Sequence, residues 1–600
     1  MKRYKKAIAL FLTATTVLSM AGCKSKEKKV DSDDAKATET TKVPATATPE
    51  PTKETADPTA GPGTDEKDAD FLLENPYGGL VKLDDADDPI TFKVFIRDPK
   101  QAPASDNPVI NKITELTGVT IEWEFLVGDL EQKEGVMIAG EDYPDAIFAG
   151  DHAPKFIDAG AFIPLEDKIP NYKLLPYIYD EKQEAKMTAP DGHKYILEIY
   201  GAQNNPSPVF RAPNAGFYIQ KAVLEEAGYP IPRTLDEYFK LIEDYKAKHP
   251  QIDGVDTIGF EILTNDSWRD FCLRNPAQHL MGAGNDGDAY VDLNTMKSSY
   301  YQISDSAHNY YKKLNEEYHK GIIPAETLTE NYDQYIARLT SGAVLGMFDQ
   351  YWNFMSADNV LLVDGKPERS YIAVPITDPG VPDGYLDAKT GKITGNNGIG
   401  ITKNCKDPDR LMKFYDYILQ REVQDYLLWG EEGKDWNYDA DGIDRTQTPE
   451  RRALMRDEAK NRDLTGNVLW NFCPKRQGLY NDGTPCTPED SASEFVAGLS
   501  EYDQKFLKAY GFKYPAEMLS DPIVRPDYFP LYAFPIEDGS PAKVANQKMN
   551  DIIRRYFPQL IVCDADKYES LWQEMLDEFA NNDLQPYLDE IDRQIATYNK

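Results

Sequence analysis

Histidine is scarce in this 600-residue chain, with six scattered copies, and there are only six cysteines. Neither residue type forms a C-x-x-C pair or the Cys/His spacing of a zinc site. The sequence also lacks G-x-S-x-G, H-E-x-x-H and a glycine-rich phosphate loop. No run after residue 22 approaches the roughly 18 apolar residues of a membrane-spanning helix, and no solenoid period is present. Positive charge is short as well, with 66 Lys+Arg against 101 Asp+Glu and a formal net charge of −35. Such a surface repels nucleic acid and anionic lipid, so neither is expected as a direct partner.

The first residues supply what the rest lacks. Lys2, Arg3, Lys5 and Lys6 precede an apolar stretch from Ala7 to Leu18, followed by Ser19-Met20-Ala21-Gly22-Cys23. This is a secretory signal, too short for a stable span. It resembles a bacterial lipoprotein signal, which implies cleavage of residues 1–22 and a diacylglycerol on Cys23. An ordinary signal with a chance cysteine is the alternative. Residues 23–70 turn to Thr, Pro, Ala and acids, as in TKVPATATPEPTKETADPTAGPG. That composition buries too little apolar surface to offset chain entropy and is expected to be a disordered, partly extended tether. The expected location is the extracellular face of a bacterial cytoplasmic membrane, touched only through the lipid. Five other cysteines remain; Cys473 and Cys486 flank the turn-rich PKRQGLYNDGTP and either close a local loop or stay as buried thiols.

From residue 90 onward, strand and helix patterns alternate. ITFKVFI reads as a strand, Asn107-Pro108 opens a helix with Ile110, Ile113 and Leu116 on one face, and Gly118 ends it. VTIEWEFL and YPDAIFAGDH read as further strands, the signature of a parallel sheet covered by helices. After the irregular GAQNNPSPVFRAPNAG the pattern restarts: Thr234-Leu235-Asp236-Glu237 is a capping box, and DTIGFEIL, AVLGMF and YIAVPI read as strands. In SGAVLGMFDQYWNF the strand is expected to end near Phe348, with a turn exposing Asp349 to Asn353. GNNGIGITKN reads as a strand whose glycines allow close backbone approach, and Asp407-Pro408 caps the next helix.

Four segments, TGVTIEWEF, GEDYPDAIFAGDHAPKFIDAGAFIPL, GFYIQKAVLEEAGYPIPRTLDEYFKLIEDYK and GIGITKNCKDPDRLMKFYDYILQ, occur in the order and spacing of a known family. Through them the chain resembles the extracellular solute-binding proteins, family 1, of bacterial carbohydrate ABC transporters, which include LplA-like lipoproteins and, more distantly, maltose-binding protein. The resemblance implies the α/β type II periplasmic-binding-protein fold: two lobes joined by crossing strands, with an oligosaccharide in the cleft between them. It implies lobe 1 from residues 71–210 with 395–465, and lobe 2 from 211–394 with 466–600. Permease subunits of an ABC transporter are the implied protein partners, the protein itself is expected to be a monomer, and no cofactor is expected.

The same resemblance implies where the sugar sits. Asp98 and Lys100 follow the first strand, Asp151 and His152 follow the strand of YPDAIF, and Asn214 falls near the first crossing. Trp268 and Trp352 fall where maltose-binding protein has sugar-stacking rings, with Tyr351 beside the second and Trp470 a further cleft aromatic. A ring offers a flat apolar surface to sugar C–H faces while polar groups take the hydroxyls. Trp429 and Trp436 are weaker candidates, and Trp123 and Trp572 are expected in the core. Arg97, Arg211 and Arg269 lie beside the cleft segments; two of them facing it would point to an acidic sugar. Family members often carry a calcium loop, but KAKHPQIDGVDTIGFE offers only Asp253 and Asp256, and DADGID at 439–444 lacks the downstream glutamate of an EF-hand, so no metal is expected. A surface glycoside hydrolase is the competing class, since paired carboxylates are all its chemistry requires. A binding lipoprotein without a transporter is another.

Overall fold

The computed structural model describes residues 74–598 except 180, 200–201, 204–206, 267–268, 285, 388–394, 396 and 527. The signal, Cys23, the tether and Trp268 lie outside the described residues. The described residues all belong to one compact unit.

In chain order the principal strands are β1 (Ile90–Ile96), β2 (Val119–Phe125), β3 (Ala146–Phe148), β4 (Ile196–Glu198), β5 (Ala215–Gln220), β6 (Ile258–Glu261), β7 (Val344–Gln350), β8 (Tyr371–Val374) and β9 (Gly398–Ile401). They form a five-stranded sheet in the order β2-β1-β3-β9-β4 and a four-stranded sheet in the order β8-β5-β7-β6. As the alternating pattern predicts, β1 runs parallel to β2 and β3. The sheet is nevertheless mixed, because β9 inserts antiparallel between β3 and β4. Its glycines permit this fit: a Cβ on Gly398 would collide with the Leu197 carbonyl, and one on Gly400 would lie 2.5 Å from the Phe162 ring.

The helices that position the site are α1 (Pro108–Thr117), α2 (Leu130–Gly140), α3 (Leu235–Lys248), α4 (Tyr332–Thr340), α5 (Tyr351–Val363), α6 (Pro408–Ile418) and α7 (Asn467–Phe472). The Asn107 side chain accepts from the Val109 and Ile110 N–H groups, and Gly118 closes α1 at φ 69°. Thr234 and Glu237 form the expected reciprocal box at the start of α3, and the Asp407 side chain accepts from the Arg410 N–H at the start of α6. Each cap satisfies donors that the helix cannot use internally.

The two sheets have separate cores. Phe92, Val94 and Ile96 pack with Val109, Ile113, Leu411 and Phe414 around the first. In the second, Phe217 and Ile219 of β5 face Tyr238, Phe239 and Ile242, while Tyr218 between them faces Phe354, Tyr335 and Met347. This period-2 division buries both faces and requires helices on each. Helices α8 (Pro541–Val562), α9 (Tyr568–Asn581) and α10 (Gln585–Tyr598) complete the chain. Met549, Phe557 and Trp572 join the second core. Val468, Leu469 and Phe472 of α7 pack into the first core, so that core draws on residues beyond 465.

Candidate functional site

The segment that ends β7 does not form the expected turn. The strand continues to Gln350 and passes directly into α5. Asp349 is fully buried and Asn353 is 2% exposed, whereas Trp352 is 43% exposed. The reason lies in hydrogen bonding. The Asp349 carboxylate accepts from Tyr335 Oη at 2.7 Å, Cys272 Sγ at 3.1 Å, its neighbour's N–H (Gln350) at 2.6 Å and Asn353 Nδ2 at 3.1 Å. Burial pushes this carboxyl up to about 6, against the pull of those donors. The polar residues thus form a knot beneath the first turn of α5, and Trp352 alone among residues 349 to 353 is turned to solvent.

Three expected residues meet there. The Tyr351 N–H donates to the Asn214 carbonyl at 2.5 Å, tying the start of α5 to the first crossing. The Trp352 indole N–H donates to Gln350 Oε1 at 2.6 Å, and its ring lies 5.5 Å from Phe271. Burial raises the Tyr351 phenol; Asp358 and Glu489 add to the rise, and Arg211 opposes it.

On the first sheet, parallel β1 and β3 deliver their carboxyl ends to one edge. Asp98 and Lys100 follow β1, and Asp151 follows β3. Arg97 links the two ends by donating to the Ala149 carbonyl at 3.1 Å and pairing with Asp151. Gly150 makes room: it has φ 55°, and a Cβ there would lie 2.8 Å from Arg97 Nη1. His152 is placed differently. Its Nδ1 lies 2.6 Å from the buried Glu134 carboxylate and its Nε2 3.7 Å from Glu131, both on α2. The ring is held against that helix.

Lys475 and Glu489 were missed in the sequence. Lys475 is 1% exposed, and its ammonium lies 3.9 Å from the Trp470 ring centroid. Burial pushes it down to about 7, Glu489 and Glu198 pull it back, and Lys100 adds to the fall. Lys100 itself sits 5.7 Å over the Phe472 ring. Glu489 acts electrostatically on Lys475 and Tyr351 alike. The Glu489 carbonyl also accepts from Arg211 Nε at 3.1 Å, on the segment that leads into β5. The signal was faint: both residues lie in the proline- and glycine-rich stretch 473–490, which has no periodicity. That stretch is docked by a two-residue parallel pairing of Arg476–Gln477 with Ala202–Gln203.

Other candidates fall elsewhere. Trp429 and Trp436 are buried around the Arg445 guanidinium, at 4.5 and 4.8 Å. Trp123 is packed near Phe125 and Phe472, and Trp572 is in the second core. Arg269 pairs with Asp266 and lies 4.0 Å over the Tyr332 ring, while Arg211 donates to the Glu489 carbonyl and stacks by Phe495. Cys473 and Cys486 are free and buried. Asp253 pairs with Lys366, and the Asp441 and Asp444 carboxylates accept turn N–H and serine donors. Among the described residues no three His, Cys, Asp or Glu side chains converge as a metal site.

The model for bacterial extracellular solute-binding proteins matches residues 109–430. The chain is 29% identical over 258 residues to the fructooligosaccharide ABC transporter substrate-binding protein FusA of Streptococcus pneumoniae, covering 41% of this chain and 47% of FusA. It is 26% identical over 160 residues to lipoprotein LipO of Bacillus subtilis, covering 26% of this chain and 30% of LipO. These alignments span about half or less of the curated relatives. The structure of FusA in complex with kestose superimposes with a TM-score of 0.61 at 20% identity, over 85% of this chain and 99% of that one. An extracellular solute-binding protein from Bifidobacterium longum subsp. infantis gives 0.59 at 18%, over 85% and 99%. At such identities the likeness shows the fold.

Proposed function

Since the chain belongs to the bacterial extracellular solute-binding proteins and has their two-lobed type II periplasmic-binding-protein fold, we propose that it captures a neutral oligosaccharide between its lobes and hands it to an ABC importer. The family binds solutes and is not one of enzymes. The observation that carries the reading is the exposed Trp352 ring at the start of α5, on a segment tied by the Tyr351 N–H to the Asn214 carbonyl. Trp352 is the sugar platform, Trp470 and Tyr351 are secondary ring contacts, and Asp98, Lys100, Asp151 and the Asn214 side chain serve hydroxyls. His152, engaged by Glu134, drops to a supporting role.

Neutrality follows from how the cations are used. Arg97 and Arg269 are each paired with an aspartate, and Arg211 is stacked on a ring and bonded to a carbonyl. Arg97 and Arg269 are thus matched in charge already, which favours a neutral ligand over one that brings a carboxylate. FusA is named for fructooligosaccharides and has been seen with kestose, so kestose is the first ligand to try. A micromolar affinity corresponds to about 8 kcal/mol, within reach of two rings and several hydrogen bonds after ordering costs.

The same reading places lobe 1 in residues 71–210 with 395 to about 490, moving the expected boundary to include α7 and the loop docked on Ala202–Gln203, and lobe 2 in the remainder. It makes the protein a monomer held outside the cytoplasmic membrane by lipid on Cys23, a role to which the match with lipoprotein LipO lends support. Isothermal calorimetry of the full body with kestose, maltotriose and an alginate oligosaccharide tests the ligand class. Binding of a neutral oligosaccharide is expected, and binding restricted to the acidic one overturns the assignment. Intact recovery of the sugar after long incubation is expected; turnover would restore the hydrolase alternative.

A further inference from the structure

We infer that Gln350 is a positioning residue that fixes the ring of Trp352 before any ligand arrives. This rests on the reading of Trp352 as the sugar platform. An exposed indole at the first turn of a helix has several staggered rotamers open to it, and its N–H is satisfied equally well by water. Here the N–H instead reaches back across the strand–helix junction to Gln350 Oε1 at 2.6 Å. The acceptor is 7% exposed while the ring it holds is 43% exposed.

The backbone that carries the acceptor is itself held. The Gln350 N–H donates to Asp349 Oδ1 at 2.6 Å, and the same carboxylate takes Asn353 Nδ2, Tyr335 Oη and Cys272 Sγ. The bracing therefore draws on α4, on the segment around Cys272 and on α5 itself. Gln350 through its backbone N–H and Asn353 through its side chain are joined to one buried anchor, before and after the Tyr351–Trp352 pair. Phe271, at 5.5 Å and an interplanar angle of 56°, closes off one edge of the ring. The N–H tether and the Phe271 contact together restrict the ring in the unliganded protein. A preorganised platform gains affinity by what it no longer has to lose on binding.

The test uses the full chain labelled with 5-fluorotryptophan, with the Trp352 resonance identified by its loss in Trp352→Ala. Gln350→Met has similar volume and no acceptor oxygen; it is expected to shift and broaden that resonance, while Gln350→Glu, which keeps an acceptor at the same reach, restores a single sharp line. With kestose as probe, Gln350→Met is expected to weaken binding three- to tenfold, and to weaken nothing further when added to Trp352→Ala. An unchanged Trp352 line in Gln350→Met, or additive losses in the double variant, overturns the inference. Should Gln350→Met fail to fold, exchange of the Trp352 indole proton in the unaltered protein decides: at least tenfold slower than free indole is expected, and exchange at the free rate overturns it. If the unaltered protein ignores kestose, or Trp352→Ala binds it undiminished, the platform or ligand reading falls, while the fluorine and exchange measurements still judge the tether.

Discussion

Trp352 and Asp349 are three residues apart, and one is in water while the other is fully buried. On the proposed reading, Trp352→Ala removes the stacking surface without touching the core, and oligosaccharide affinity should fall at least tenfold in calorimetry with an unchanged melting temperature. Undiminished affinity would take the ring out of the site. Asp349 should reveal itself through pH. Its folded-state value of about 6 stands above the ordinary 3.8, so the folded protein holds the proton more tightly than the unfolded chain. Stability then falls as pH climbs from about 4 to about 6, by about 3 kcal/mol for this group alone. Asp349→Asn cannot titrate, so its stability relative to the parent should rise across that window; parallel melting curves at pH 4.5 and 7.5 would refute the assignment.

Among elements, α1 shows how much a cap can carry. Asn107 Oδ1 serves two N–H groups of the helix while its Nδ2 donates to the carbonyls of Arg462 and Thr465, at 3.1 and 2.9 Å. Asn107→Ala loses both sets. Destabilisation of about 2 kcal/mol, the upper end for a cap, is expected in chemical denaturation. This helix was legible in the sequence because cap, proline, apolar face and terminal glycine all agree. The start of α5 was not legible. Its N-cap is Gln350, whose side chain caps nothing, and the polar run Asp349-Gln350 imitates a turn although tertiary donors bury it. β9 was legible as a strand, but its antiparallel seat between β3 and β4 depends on partners far away in the chain. Trp352 and Asn214 could be named from family resemblance. Lys475 and Glu489 could not, since only long-range docking of an aperiodic loop brings them near Tyr351 and Lys100.

At the scale of the molecule, the proposed reading puts binding groups on both cores, so ligand should favour the approach of the lobes to the degree that closed contacts exceed open ones. Solution scattering should show a smaller radius of gyration with saturating oligosaccharide, and superimposable curves would argue against closure. The first sheet has one more consequence, which concerns birth rather than binding. Strand β4 has no neighbour in that sheet except β9, and β3 has β9 on its second side. Every strand of the second sheet lies between β4 and β9 in the chain. If the chain is exported from its amino terminus, as proposed, the first sheet waits with an unpaired edge until the entire second sheet has emerged. Pairing across so long a separation is expected to be slow, and an open sheet edge is exposed to aggregation and proteolysis in that interval.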